Sequence, residues 1–157
     1  MANVKPIPEG YITVTQSLVF RDTPKAIEFY KKAFGAKERS RMPGPDGRIM
    51  HAEITIGNSN IMLNDEVMGN RSAESMGGSP VSFYVYVENV DAAVQKAVAA
   101  GATLAMPVSE MFWGDRFGQV QDPFGYKWSI ATHVRDLTPD QMMKGQEEFF
   151  KQMAAAR

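Results

Sequence analysis

His51 and Glu53 stand two apart in the run Arg48 to Ile56. In an extended strand successive side chains alternate, so both point to one sheet face with Thr55, while Ala52, Ile54 and Ile56 share the other. If the apolar face packs under a helix, His51 and Glu53 look into a cleft. An imidazole beside a carboxylate can act as a general acid or base, or supply half of a metal site. The same pair also suits a polar face on which the histidine hydrogen-bonds a neighbouring strand. A second candidate is Trp113-Gly114-Asp115-Arg116. Gly114 permits unusual backbone angles, Trp113 offers a flat apolar surface, and Asp115 and Arg116 bring opposite charges. Loops of this kind line pockets, although Trp113 would equally plug a subunit contact. Gln119 and Gln121 alternate after it and present neutral hydrogen-bonding groups to one face. Trp128 is expected in the core, and His133, ahead of Arg135-Asp136, on the surface.

The elements that must carry these residues follow from period and punctuation. Tyr11 to Phe20 reads as a strand and stops at Asp22-Thr23-Pro24, a helix N-terminal signal. Ala26, Ile27, Tyr30, Ala33 and Phe34 recur at helical spacing up to Gly35. Strand-like runs follow at Lys37–Met42, Arg48–Ile56 and Asn60–Asn64, with turns at Pro45-Asp46-Gly47 and Gly57-Asn58-Ser59. The pattern then repeats. A strand from Val81 to Val87 leads to Asn89, a helical stripe ends at Gly101, and strands are expected at 103–107, 116–121 and 126–132. Gly35 and Gly101 are 66 residues apart and Asp22 and Asn89 are 67 apart, the mark of an internal repeat. The reading is an α+β fold of two βαβββ modules, 11–66 and 80–134, joined by a linker at 67–79, their curved mixed sheets enclosing a cleft. Thr138-Pro139-Asp140-Gln141 is a capping box that opens an amphipathic C-terminal helix over 138–156. Its stripe of Met142, Met143, Phe149, Phe150 and Met153 is expected to dock on its own subunit or on a partner.

Composition narrows the chemistry. The chain has 157 residues, no Cys and two His. Disulfides, thiolate nucleophiles, iron–sulfur clusters and three-imidazole sites are therefore excluded. Seventeen basic against eighteen acidic residues, without a block of either sign, leave no footprint for nucleic acid or an anionic membrane surface. No apolar run approaches the roughly 18 residues of a membrane span, and the first residues do not read as a signal peptide. A cytoplasmic protein is expected. Eleven Met residues, spread along the chain, read as gap-fillers and as an oligomer contact.

The paired modules and the phrases Ala26-Ile27-Glu28-Phe29-Tyr30-Lys31-Lys32-Ala33-Phe34-Gly35-Ala36 and Asp122-Pro123-Phe124-Gly125-Tyr126-Lys127-Trp128 resemble the vicinal oxygen chelate superfamily. That superfamily includes glyoxalase I, extradiol dioxygenases and the fosfomycin- and bleomycin-resistance proteins. The stretch from Met42 to Glu53, Gly78-Ser79-Pro80-Val81-Ser82 and Met111-Phe112-Trp113-Gly114-Asp115-Arg116-Phe117-Gly118 are similar to its PhnB-like branch. The resemblance implies a divalent metal held by His, Gln or Glu on the first and last strands of each module. Those slots fall here on Thr15, on Leu63 or a neighbour, on Ser82 and on Ser129, with Gln16 and Asn64 one residue away. Hydroxyls and apolar groups are poor ligands for zinc, nickel, iron or manganese. The ancestral metal site is read as lost, with no cofactor expected.

Two functions are carried forward. One is a metal-free protein binding a small molecule, with Ser82, Trp113, Asp115, Arg116, Gln119 and Ser129 as ligand-binding residues. The other is a lyase, isomerase or dioxygenase with an altered metal site around His51 and Glu53. A third is an interaction protein whose terminal helix recruits a partner. The resemblance also implies a homodimer, because clefts in these proteins are commonly completed by a second subunit.

Overall fold

The computed structural model describes residues 4–155. Its elements run β1 (Gln16–Phe20), α1 (Thr23–Phe34), β2 (Lys37–Pro43), β3 (Ile49–Ile56), β4 (Ser59–Asp65), α2 (Ala73–Met76), β5 (Ser82–Tyr86), α3 (Val90–Ala99), β6 (Thr103–Glu110), β7 (Asp115–Gln121), β8 (Lys127–His133) and α4 (Pro139–Ala155). Two four-stranded mixed sheets result, in the orders β1-β4-β3-β2 and β5-β8-β7-β6. In each, the first and last strands pair in parallel and the other pairs are antiparallel.

Local chemistry starts and stops the helices as the repeat requires. The Asp22 side chain accepts from the Lys25 N–H, and Gly35 closes α1 in the left-handed conformation at φ 66°. Asn89 accepts from the Ala92 N–H at the head of α3. The first N–H of each helix is also anchored to its own sheet: Thr23 N–H donates to Asp65 Oδ1 at 2.7 Å, and Val90 N–H to Thr132 Oγ1 at 2.9 Å.

The helix-bearing faces of both sheets pack into one continuous core, and α1 packs against α3. Its centre is aromatic: Phe20, Phe29, Tyr30, Phe34, Phe83, Phe124, Tyr126 and Trp128 meet ring to ring at 4.5 to 6.4 Å. Such pairs add about 0.5–1.5 kcal/mol each beyond burial. Asp122 ties this core together, accepting from Tyr30 Oη at 2.7 Å, Trp128 Nε1 at 2.9 Å and the N–H groups of Phe124 and Tyr126. The opposite face of each sheet is left to other segments, residues 4–15 on the first and α4 on the second.

Several expectations need correction. The strand read from Tyr11 begins only at Gln16, where pairing with β4 starts; before it the chain turns on itself, Tyr11 N–H donating to Pro8 C=O and the Thr15 hydroxyl to Ile12 C=O. The linker holds the short helix α2, capped by Ser72, whose N–H and hydroxyl both bond Glu66 Oε1. Of the two dockings expected for the terminal helix, the structure shows the one on its own chain. Gly145 lets it approach Phe112 so closely that a Cβ would lie 3.0 Å from the Phe112 Cβ, and Phe149 packs on the Phe112 ring at 5.6 Å. Its last expected residue, 156, lies outside the described residues. Among the described residues no helix is long and apolar enough to cross a membrane.

Candidate functional site

The chemistry-bearing residues fall into two groups, one on the face of each sheet turned away from its helix. On the first sheet, strand alternation places His51, Glu53 and Thr55 on the face away from α1, with Ala52, Ile54 and Ile56 buried beneath it. His51 Nε2 lies 3.0 Å from Glu53 Oε1. The His51 imidazole and the neighbouring Tyr11 hydroxyl hold the Glu53 carboxyl below the usual carboxylate range. The Arg39 guanidinium stands 5.5 Å from the Tyr11 ring centroid. Glu53, Met62 and Thr15 floor a groove of about 600 Å³ whose wall is the segment from Pro6 to Thr13.

The second group is built around Asp115, the first residue of β7. It is 2% exposed and its carboxylate is fully engaged. Oδ2 accepts from Tyr84 Oη at 2.9 Å, Tyr86 Oη at 3.1 Å and Trp113 Nε1 at 3.1 Å, and Oδ1 lies 2.8 Å from His133 Nδ1. Burial pushes this carboxyl up, but the four donors, His133 first, outweigh burial and hold it below its ordinary range. His133 Nε2 reaches Asp136 at 3.0 Å, and the two carboxylates raise the imidazole above its usual value. The Tyr84 and Tyr86 rings lie 5.2 Å apart and remain about half exposed. Burial, then Asp115, raises both phenols above their ordinary value. Phe117, Met111, Ala131, Trp113 and Phe149 close the apolar side. Asp115 is thus a clamp that orients three aromatic side chains and one imidazole. A carboxylate with both oxygens so occupied is a poor general base.

The sequence candidates are distributed unevenly over this geometry. Trp113 and Asp115 are in the second group. Gln119 and Ser129 lie further along the same face and bond each other at 3.2 Å, and Ser82 opens β5 at an exposed position on that face. Arg116 is not there. One residue after Asp115 it points to the helix side, where it forms a two-pronged pair with Asp91 of α3 at 2.7 and 2.8 Å. His133 is at the surface as expected, yet it has a role that sequence reasoning missed, as do Tyr84, Tyr86 and Tyr11. Alternation held the signal: Tyr84 and Tyr86 share a face with Ser82, and His133 shares one with Ser129.

The metal that the resemblance implies does not fit these residues. Leu63 is fully buried against the helices. Its outward neighbours are Met62 and Asn64, a thioether and a neutral amide where such a site wants imidazole or carboxylate, and the Asn64 amide nitrogen donates to Asp65 C=O at 2.7 Å. Thr15 donates to Ile12 C=O, and Ser129 is engaged by Gln119. Among the described residues no three His, Asp or Glu side chains gather closely enough to hold an ion.

Comparison with known proteins agrees with this architecture. The Glyoxalase/Bleomycin resistance protein/Dioxygenase superfamily profile matches residues 11–130. An uncharacterized protein of Mycobacterium tuberculosis is 45% identical over 130 residues, covering 80% of this chain and 76% of the relative. The crystal structure of an Arabidopsis thaliana gene product superposes with TM-score 0.64 at 31% identity, over 77% of this chain and 98% of that one. TioX from a Micromonospora species gives 0.60 at 26% identity, over 81% and 100%. The PhnB protein of Bacillus cereus, at 22% identity and TM-score 0.62 over 77% and 99%, shares the fold. With two βαβββ modules arranged in this way and a match over most of its length, the chain belongs to the glyoxalase/bleomycin resistance protein/dioxygenase superfamily.

Proposed function

We propose that the protein binds a small amphipathic molecule on the face carrying Asp115, without a metal. The observation that carries this reading is the Asp115 clamp, which fixes Tyr84, Tyr86 and Trp113 in place. Rings held in advance lose little freedom on binding, and the exposed Tyr84 and Tyr86 with the partly buried Trp113 combine apolar area with polar handles. His133 adds an ionisable group at the edge. The donor chemistry of Thr15, Ser82 and Ser129 supports the metal-free part of the proposal.

The proposal includes a homodimer in which the Asp115 face of one copy meets the His51 face of the other. Apolar side chains left in water on both sides support it. Ile12, Val14 and Met42 on the His51 side, Tyr84 and Tyr86 against Asp115, and Met143, Phe150 and Met153 on α4 are each at least 48% exposed. Within one chain the two polar groups line separate surfaces, and such a pairing would enclose both.

Light scattering at micromolar concentration tests the dimer, and a monomer mass refutes it. Elemental analysis of protein purified without chelator tests the metal. Stoichiometric zinc, nickel, manganese or iron would overturn the metal-free reading in favour of an enzyme with an altered site at His51 and Glu53, whose 3.0 Å contact supplies two of the ligands such a site needs. Ligand binding is followed by quenching of Trp113 fluorescence, with Trp113→Phe as the blank.

A further inference from the structure

The internal repeat creates two equivalent seams, each where the edge strand of one module meets a turn of the other. The matching anchors, Thr23 N–H on Asp65 and Val90 N–H on Thr132, set the correspondence at 67 residues. Val19 then matches Tyr86, Phe20 matches Val87, Tyr30 matches Ala97, and Ser59 matches Tyr126.

At the first seam the Tyr126 hydroxyl accepts from Val19 N–H at 3.3 Å and donates to Val19 C=O at 3.0 Å, closing the open edge of β1. Phe124 fills the space behind it, with ring centroids 5.4 Å from Phe20, 5.8 Å from Phe29 and 6.2 Å from Tyr30. The second seam lacks these fillings. Five residues connect the paired Gln121 and Lys127, but only four, Ile56-Gly57-Asn58-Ser59, connect Thr55 and Asn60. None of the four is aromatic, and the facing core positions are Val87 and Ala97 instead of Phe20 and Tyr30.

What remains is a cavity of about 630 Å³ between Phe34, Ile56, the Gly57–Ser59 turn and the edge of β5, within the range of about 300–1,000 Å³ typical of small-molecule sites. A smaller void of about 130 Å³ adjoins it at Val85, Val87 and Lys96. Val87 N–H turns inward to Ala131 C=O at 2.8 Å. By strand alternation the N–H and C=O of Tyr86 turn outward, as those of Val19 do at the first seam.

We propose that this second seam is a binding site for a para-substituted phenol, whose hydroxyl bridges Tyr86 N–H and C=O while its ring occupies the apolar half of the cavity. The molecule's own first seam shows the occupant, a phenol on an edge strand. The site uses the edge of β5, whose residues Tyr84 and Tyr86 line the cavity while their hydroxyls reach Asp115 on the adjoining face; the phenol contacts proposed here are to the backbone and do not rest on the function proposed above.

Titration of p-cresol into the full-length ¹⁵N-labelled protein tests it. The expected result is saturable shifts at the amides of Tyr86, Val87, Gly57 and Asn58, with toluene binding about thirtyfold more weakly for want of two hydrogen bonds worth about 1 kcal/mol each. Ser59→Tyr, which places a phenol where Tyr126 stands in the other module, should abolish p-cresol binding. If that variant fails to fold, the wild-type comparison of p-cresol with toluene decides alone. Absence of saturable shifts at these amides, shifts confined to the Asp115 and His133 region, or equal binding of toluene would overturn the proposal.

Discussion

Replacing Gly114 with alanine strikes the joint that carries His133 to Asp115. Gly114 has φ 98°, and its carbonyl accepts the N–H groups of both Val134 and Arg135 at 3.0 Å. A Cβ there would collide with the Arg135 carbonyl oxygen, well inside the 3.0 Å that real Cβ contacts respect. That oxygen belongs to the backbone and cannot swing aside as a side chain would. The positive φ alone costs alanine about 1–3 kcal/mol, and displacing the 134–135 segment strains two hydrogen bonds worth about 1 kcal/mol each. A loss of about 3 kcal/mol is expected, equivalent to a Tm fall of about 6–12 °C for a chain of this size. Gly69→Ala is the control. Gly69 also has positive φ, but nothing lies within 4 Å of where its Cβ would stand, so it carries the conformational cost without the collision. Urea unfolding followed by tryptophan fluorescence measures both. An NMR titration should show the His133 pKa falling toward the ordinary imidazole value of about 6.5 in Gly114→Ala alone. A Gly114→Ala loss no larger than that of Gly69→Ala, or an unchanged His133 titration, would refute the reasoning.

Other perturbations separate the remaining interactions. Asp115→Asn leaves several donors facing an amide with one acceptor and should cost about 2–3 kcal/mol in urea unfolding at neutral pH. Because the Asp115 pKa is depressed in the folded protein, its contribution is present above the unfolded carboxyl pKa and fades as pH falls through the folded value, so the variant's stability should be flatter on the acid side. The His133 pKa is raised instead; its contribution is present below the unfolded imidazole pKa and is lost as pH climbs through the folded value, a slope that His133→Gln should remove. Thr23 Oγ1 is buried without a partner, so Thr23→Val should be neutral or stabilising by about 1 kcal/mol in thermal unfolding. Asp122→Ala would orphan the Tyr30 hydroxyl, the Trp128 indole and two backbone N–H groups at once, and a loss of about 3–5 kcal/mol is expected by the same measurement.

Much of the fold was legible because its signals are local. Asp22 and Asn89 as caps, Gly35 as a stop, the alternation from Ile49 to Ile56 and the recurrence near 67 residues all depend on neighbours in sequence. The face shared by His51 and Glu53 was legible for the same reason. Arg116 was misplaced because its charge and its nearness to Asp115 outweighed alternation, which sends it to the opposite side. The strand read from Tyr11 was too long because β-branched residues continue through Ile12, Thr13 and Val14, while pairing along β4 begins at Gln16.

Sequence by itself determined the two modules, their order and the absence of thiol chemistry, since residue type, period and capping suffice for those. Only the tertiary structure decided which polar groups meet. Asp115, Tyr84, Tyr86, Trp113 and His133 come from three strands and a turn, up to 49 residues apart from Tyr84 to His133, and strand register alone brings them together. The same holds for the unequal seams: the repeat made them equivalent in sequence, and packing around Tyr126 filled one and left the other open.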